Sequence, residues 1–153
     1  MRVLLDVNIM LDAMLQRPPW HKEADAILQA AALGQVTCVT TTLSLATIFY
    51  VGRQVVGTIA ARTGVRNYLV AFDILTIDKQ TLLDADAMSG NDFEDNILIA
   101  AAVTASLDAI VTRNKSDFSH SPIPVWEPAE LLKRLAAVGS SPTTGAGPAS
   151  APP

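Results

Sequence analysis

Short apolar runs alternate with helical periodicity along nearly the whole chain, and this alternation does most to narrow the folds open to it. Arg2 to Asp6 reads RVLLD, an apolar run that ends on an acid; helix-favouring residues follow from Asn8 to Leu15 until Pro18-Pro19 stops them. Trp20, Ala24, Ile27, Leu28 and Ala31 then recur at helical spacing up to Gly34. Val36 to Thr40 predicts a second strand, and Leu43 to Val56 and Thr58 to Ala71 predict two helices divided at Gly57. Ile74 to Ile77 predicts a third strand, with Asp78 placed to cap the helix behind it. Asn91 to Leu107 predicts a long helix with Ile97, Ala101 and Thr104 on one face. Ala109 to Thr112 and Pro124 to Trp126 supply two more strands, and Glu127 to Val138 closes the pattern as an amphipathic helix. Parallel neighbours need a crossover of helical length between them, so strands separated by helices predict an α/β fold around a parallel sheet.

Composition agrees with one such domain. Of 153 residues, 50% are hydrophobic and 17% charged, which is ample for a core and excludes disorder for most of the chain. Gly139 to Pro153 has no charge and no large hydrophobe but holds four of the nine prolines and three of the eight glycines, so a domain over 1–138 and a flexible tail over 139–153 are expected. Eleven Lys and Arg against fifteen Asp and Glu leave a net charge of −4, so any nucleic-acid contact must come from a local basic patch. The lone Cys38 excludes a disulfide framework and a Cys-rich zinc site and suits a reducing compartment. Ala26 to Gly52 carries no charge and is long enough to span a bilayer, but its glutamines, threonines and the Gly34-Gln35 break read as a turn between two buried elements. Asp6, Asn8 and Asp12 interrupt the N-terminal apolar run where a signal peptide would need continuity. A cytoplasmic protein without membrane association is the expectation.

In a parallel α/β sheet, ligands gather at the carboxyl ends of the strands. Asp6 ends the first strand, with Asn8 and Asp12 after it; Asn114 and Asp117 follow the fourth strand in TRNKSDF, and both loops should open on one edge. Asp92 and Asp95, three apart at the head of the long helix, share a face, with Glu94 about a quarter-turn away. Each acid also has a plain reading: Asp92 as a helix cap, Asp117 as a loop cap and Asp12 as a solvated helix residue. Asp6, which ends a buried strand, is poorly explained by solubility. Two carboxylates about 4 Å apart repel by roughly 4 kcal/mol at an effective dielectric of 20. A cleft of several therefore requires protonation or a cation. With no thiolate and no local His in the set, that cation is Mg²⁺ or Mn²⁺, which polarises a phosphodiester and activates a bound water. No Gly-rich phosphate loop is present, and Ser44 lacks the glycines of a nucleophile elbow. His21 and His120 have no partner pattern and read as structural or solvated residues, and Cys38 as a buried filler.

The segments VLLDVNIMLD, TTLSLATIFYVGR, DFEDNILIAAAVTASLDAIVTRNKSDF and PVWEPAELL, in that order, resemble the PIN-domain ribonucleases, close to the VapC-like toxins of bacterial type II toxin–antitoxin pairs. The resemblance implies a three-layer α/β/α sandwich with a short central parallel sheet, endoribonuclease activity, Mg²⁺ or Mn²⁺ held by acids, an antitoxin partner and homodimerisation. Position by position, Asp6 is similar to the first metal-binding acid, and Asp95, with Asp92 beside it, to the principal acid of the third motif. Asn114 stands where many relatives carry Asp, and Asp117 supplies charge one turn further on, so the implied metal set is Asp6, Asp95 and Asp117. Asn8 is similar to the small polar residue that orients the first acid or a metal-bound water. Thr47 falls where the family usually has Glu, so two of four expected acids are neutral, which weakens metal affinity and rate. Arg113 and Lys115 flank Asn114 and, with Arg53, are the candidate RNA contacts; Arg62 and Arg66 read equally as a solvated helix face. The competing reading is a catalytically weakened PIN-like module that binds RNA or a protein. A phosphotransfer domain would need a second Asp where Asn8 stands.

Overall fold

The structure, a computed structural model, describes residues 1–139, so the expected tail lies outside the described residues beyond Gly139. Five strands, β1 (Arg2–Leu5), β2 (Thr37–Thr41), β3 (Asp73–Leu75), β4 (Ala109–Val111) and β5 (Val125–Trp126), form one sheet in the order β3-β2-β1-β4-β5. All four neighbouring pairs are parallel. Six helices connect or flank them: α1 (Val7–Leu15), α2 (His21–Ala32), α3 (Thr42–Ala71), α4 (Lys79–Asp86), α5 (Phe93–Thr104) and α6 (Pro128–Gly139).

Alternation along the strands builds the three layers. Val3 and Leu5 of β1 point to one face with Cys38 and Val111, against Ile9, Met10, Ile27, Ile48 and Leu131 from helices α1, α2, α3 and α6. Leu4, Val39 and Ile110 point to the other, against Leu98, Ile99 and Ala102 of α5 and against Phe118. The sequence winds outward from β1 to β2 and β3 on one side, then returns to place β4 and β5 on the other. The order therefore reverses between β1 and β4. At such a switch point the helices leave the sheet in opposite directions and open a crevice at the carboxyl ends of the strands. Leu5 pairs with Val111, so Asp6 and Thr112 emerge side by side there.

Local chemistry sets the element ends. Asp78 accepts from Thr81 N at 2.8 Å and caps α4, as its position predicts. α5 is shorter than the expected Asn91–Leu107, because Asp92 caps its start and Ser106, at φ 51°, ends it. The bonds Leu107 N to Ala102 O and Ser106 N to Val103 O, both 3.0 Å, complete a Schellman turn that aims the chain into β4. The third strand begins one residue early, at Asp73, which pairs with Val39.

α3 divides where expected. Gly57 sits at φ 81°, ψ 164°, outside the helical region. A side chain at Gly52 would run into Met14 and meet Ala61 Cβ at 3.6 Å, and one at Gly64 would also strike Met14, so the two halves fold back on each other around that methionine. An 18-residue window of this span reaches a mean hydropathy of 1.3, the level of a bilayer-crossing helix. At about 1.5 Å per residue neither half reaches across a hydrocarbon core of about 30 Å, and Arg53, Arg62 and Arg66 lie along it. The hairpin nevertheless leaves Tyr50, Val55, Ile59, Leu69 and Val70 exposed.

Candidate active site

Asp6 is the fixed point of the crevice. It follows the buried end of β1 and is itself buried; its Oδ2 accepts from Thr112 Oγ1 at 2.8 Å and from Asn8 Nδ2 at 3.3 Å. Burial pushes its pKa above the usual carboxylate range, and these hydrogen bonds oppose the shift. Thr112 also accepts from Asn114 N at 3.0 Å, so one hydroxyl ties the first acid to the loop after β4.

From the opposite side, α5 presents its N-terminus. Asp92 Oδ1 accepts from the backbone of Glu94 at 2.9 Å and of Asp95 at 3.3 Å, which is the capping role open to it from sequence. Asp95 is held up to about 7, first by burial and then by the charges of Asp92, Asp6, Asp117 and Glu94. Those four carboxylates come from the end of β1, the first turn of α5 and the short 3-10 turn Lys115–Phe118. The three segments that the sequence suggested might converge thus do so around Asp95. An open cleft of about 540 Å³ runs past Asp92, Asp95 and Asp117 and is closed by Gly90, Ser116 and His120, among others.

Not every expected residue joins them. Asn114 is exposed, and what it contributes is backbone: its carbonyl accepts from Asp117 N at 3.0 Å and opens the 3-10 turn. Thr47 reaches the acids indirectly, by donating to Glu94 Oε1 at 3.3 Å. Arg113 turns inward, its Nε 2.9 Å from Asp12 Oδ2 and its guanidinium 4.1 Å above the Trp20 ring. Lys115 pairs with Glu130 at 3.0 Å, and Arg53 lies 5.1 Å over the ring of Tyr50. Lys115 and Glu130 are both half-exposed, and such pairs contribute little, so Lys115 stays free to exchange partners. Arg113 does not.

Asp12 corrects an expectation. Read as a solvated helix residue, it is fully buried, between Arg113 and, at 3.8 Å, Arg17. Neither oxygen makes a well-aligned hydrogen bond; burial raises its pKa while the two arginines lower it. Three residues near the acids stand outside the site expected from sequence: Thr112, Glu94, placed a quarter-turn off the acidic face, and His120, read as structural or solvated. Thr112 had a signal, since a parallel pairing of RVLLD with AIVT sets it beside Asp6. Glu94 and His120 had none, because what places them is a partner on another element.

The donor set fits a hard dication. The acids whose charges raise Asp95 all offer oxygen, with His120 an imidazole in the same cleft wall, and their repulsion, which adds to burial in holding a proton on Asp95, is what an added positive charge would relieve. As the side chains stand, no three of His, Cys, Asp or Glu among the described residues are close enough together to grip an ion. The acids ring the cleft without closing it.

A family model described as PIN domain matches residues 2–116. Among solved structures, the toxin–antitoxin complex from Klebsiella pneumoniae is 24% identical with a TM-score of 0.62, over 82% of this chain and 97% of that one. The Rickettsia felis VapBC2 bound to a DNA fragment from its promoter is 16% identical with a TM-score of 0.63, over 83% and 98%. VapC20 of Mycobacterium tuberculosis, a toxin that cleaves the sarcin–ricin loop, is 11% identical with a TM-score of 0.59, over 71% and 86%. No curated protein matches.

Proposed function

We propose, from the premise that this chain belongs to the PIN domain family, that it is a divalent-metal-dependent endoribonuclease and the toxin of a toxin–antitoxin pair. The observation that carries this reading is the ring of acids around Asp95, a carboxyl that burial and then their charges raise to about 7. Asp6, Asp95 and Asp117 would hold Mg²⁺ or Mn²⁺. When bound, such an ion polarises the phosphodiester and makes a water acidic enough to attack it.

The chain's own groups do the rest. Thr112 and Asn8 orient the Asp6 carboxylate through the two bonds to its Oδ2. Asp92 fixes the first turn of α5 and so the direction of Asp95. Glu94, held by Thr47, adds charge to the side of the cleft where the family's second acid is replaced. Asn114 acts through its backbone, by starting the turn that carries Asp117. Lys115 and Arg53 remain the candidate contacts to RNA phosphates, with Arg113 holding the loop between them in place. Such chemistry belongs in the cytoplasm, where RNA is exposed and a lone buried thiol stays reduced.

The exposed apolar residues of the α3 hairpin suit an antitoxin or a second copy of the chain. The Klebsiella and Rickettsia structures are complexes of this kind. A binding module is the second reading, favoured by the neutral Thr47 and Asn114 and by the absence of a closed three-acid cluster among the described residues. Cleavage of single-stranded RNA by purified protein, free of any antitoxin, decides between them. Mg²⁺- or Mn²⁺-dependent cleavage should fall at least a hundredfold in both Asp6→Asn and Asp95→Asn. Cleavage that persists in both would remove the assignment of the site, and inert wild type would leave the binding module.

A further inference from the structure

One ring in the wall of the acidic cleft, His120, has no part in the carboxylate chemistry. Its Nε2 lies 2.8 Å from Asn96 Oδ1. Asn96 is buried, and its Nδ2 donates to the carbonyl of Gly90 at 3.0 Å. That second bond decides which way the amide faces, with nitrogen toward Gly90 and oxygen toward the ring. An amide oxygen only accepts, so Nε2 must carry a proton. In its neutral form the imidazole is therefore held in one tautomer, with Nδ1 an acceptor for which no hydrogen-bond partner is found among the described residues. Gly90 supplies an independent constraint. A Cβ there would collide with Asn96 Oδ1 and with Cε1 and Nε2 of the ring, so only glycine leaves room for the pair.

We propose that His120 Nδ1 accepts a hydrogen bond from a ribose 2′-hydroxyl of the strand in the cleft, making the site select RNA over DNA. This deepens the ribonuclease reading and rests on it. A phosphate offers acceptors alone, and a neutral Nδ1 has no proton to give one. The neighbouring carboxylates of Asp92 and Asp117 are acceptors too, so beside them, though not at the serines and Asn91 that share the wall, the cleft favours a donor on the ligand. On a nucleic-acid backbone that donor is the 2′-hydroxyl, which deoxyribose lacks. Base amino groups also donate, but they are the same in RNA and DNA of matched sequence, which makes the sugar the discriminating variable.

The test separates binding from cutting. In an Asp95→Asn background with Mg²⁺ present, fluorescence anisotropy compares a single-stranded RNA with a DNA of the same base order. The ring should give RNA an advantage of about tenfold, the equivalent of one net hydrogen bond. His120→Phe, which keeps a ring without its nitrogens, should remove that advantage by weakening the RNA arm alone. Gly90→Ala should do the same with the histidine still present. A preference that survives both changes, or an equal loss on both arms, overturns the proposal. Binding of both strands without preference overturns it and leaves the nuclease reading standing; failure to bind either strand overturns it as well, and RNA cleavage by the wild type then decides whether the nuclease reading stands. Long-range ¹⁵N spectra of the histidines, recorded without nucleic acid, should show the Nε2–H tautomer for His120; the Nδ1–H form would refute the lock.

Discussion

The acids that would hold a metal should destabilise the protein that lacks one, and Asp95 is where that cost can be measured. Its carboxyl titrates near 7 in the fold against 3.8 in a free chain. Each pH unit between those values is worth about 1.4 kcal/mol, so complete ionisation would cost the fold roughly 4 kcal/mol. Asp95 is partly exposed, and solvent screening reduces this to about 2 kcal/mol. The sign follows from proton counting. Between pH 4 and 7 the folded carboxyl binds more proton than the unfolded one, so stability drops as pH rises through that window and levels off above it. Asp95→Asn removes the charge while keeping the shape. In urea denaturation with EDTA, the variant should be more stable than wild type by about 2 kcal/mol at pH 8 and indistinguishable from it near pH 4. Mg²⁺ should narrow the gap, because ligand that binds only the folded wild type stabilises it by mass action, by about 2.7 kcal/mol at a hundred times Kd. A variant less stable than wild type at pH 8, or a gain of equal size at both pH values, would refute the claim that burial and the converging carboxylates raise Asp95.

The other predictions concern the groups around this centre. Arg113→Met strands the buried Asp12 with only Arg17 nearby and should cost about 3 kcal/mol at pH 7 by urea denaturation. The loss should shrink as pH falls and Asp12 takes up a proton; a pH-independent loss would mean that packing on Trp20, not charge, is responsible. Thr47→Glu restores a carboxylate beside Glu94 and should tighten Mn²⁺ binding several-fold by calorimetry, while an unchanged affinity would place Thr47 outside the site. With Lys115 and Arg53 as the cationic contacts, the logarithm of RNA affinity should fall with that of salt at a slope of about −1.4. A slope several times steeper would reveal a basic surface not identified in the cleft.

What the sequence discloses and what it hides divide along a physical line. Asp6, the Asp78 cap and the Gly57 break are local: an acid ending an apolar run, a cap before a helical pattern, a glycine between two periodicities. They follow from residues adjacent in the chain, and the structure contains all three. Asp12 was misread because its surroundings arrive from elsewhere. Within α1 it is the one charged residue, and Arg113, delivered from the far end of β4, joins Arg17 in making the interior tolerable for it. Glu94 and His120 are hidden in the same way, since Thr47 and Asn96 reach them from other segments. The overlong reading of α5 failed for a different reason. Apolar periodicity continues past its end, but a serine in the left-handed region turns the backbone.

The same long-range pairings reshape what the net charge of −4 means for a nucleic-acid substrate. Arg113, one of the two cations that flank Asn114, is consumed in pairing with the buried Asp12. The loop it anchors carries Asp117, so a positive charge that looked available to phosphate is instead spent on positioning a negative one. The cleft is thereby left more acidic than the order of residues suggests, with Lys115 and Arg53 at most to offset it. A strand of phosphates approaching Asp6, Asp92, Glu94, Asp95 and Asp117 meets repulsion that two exposed cations cannot cancel. Under the proposed function, binding and catalysis would be tied to one event: a divalent ion that completed the acid ring would also make the ring tolerable to RNA.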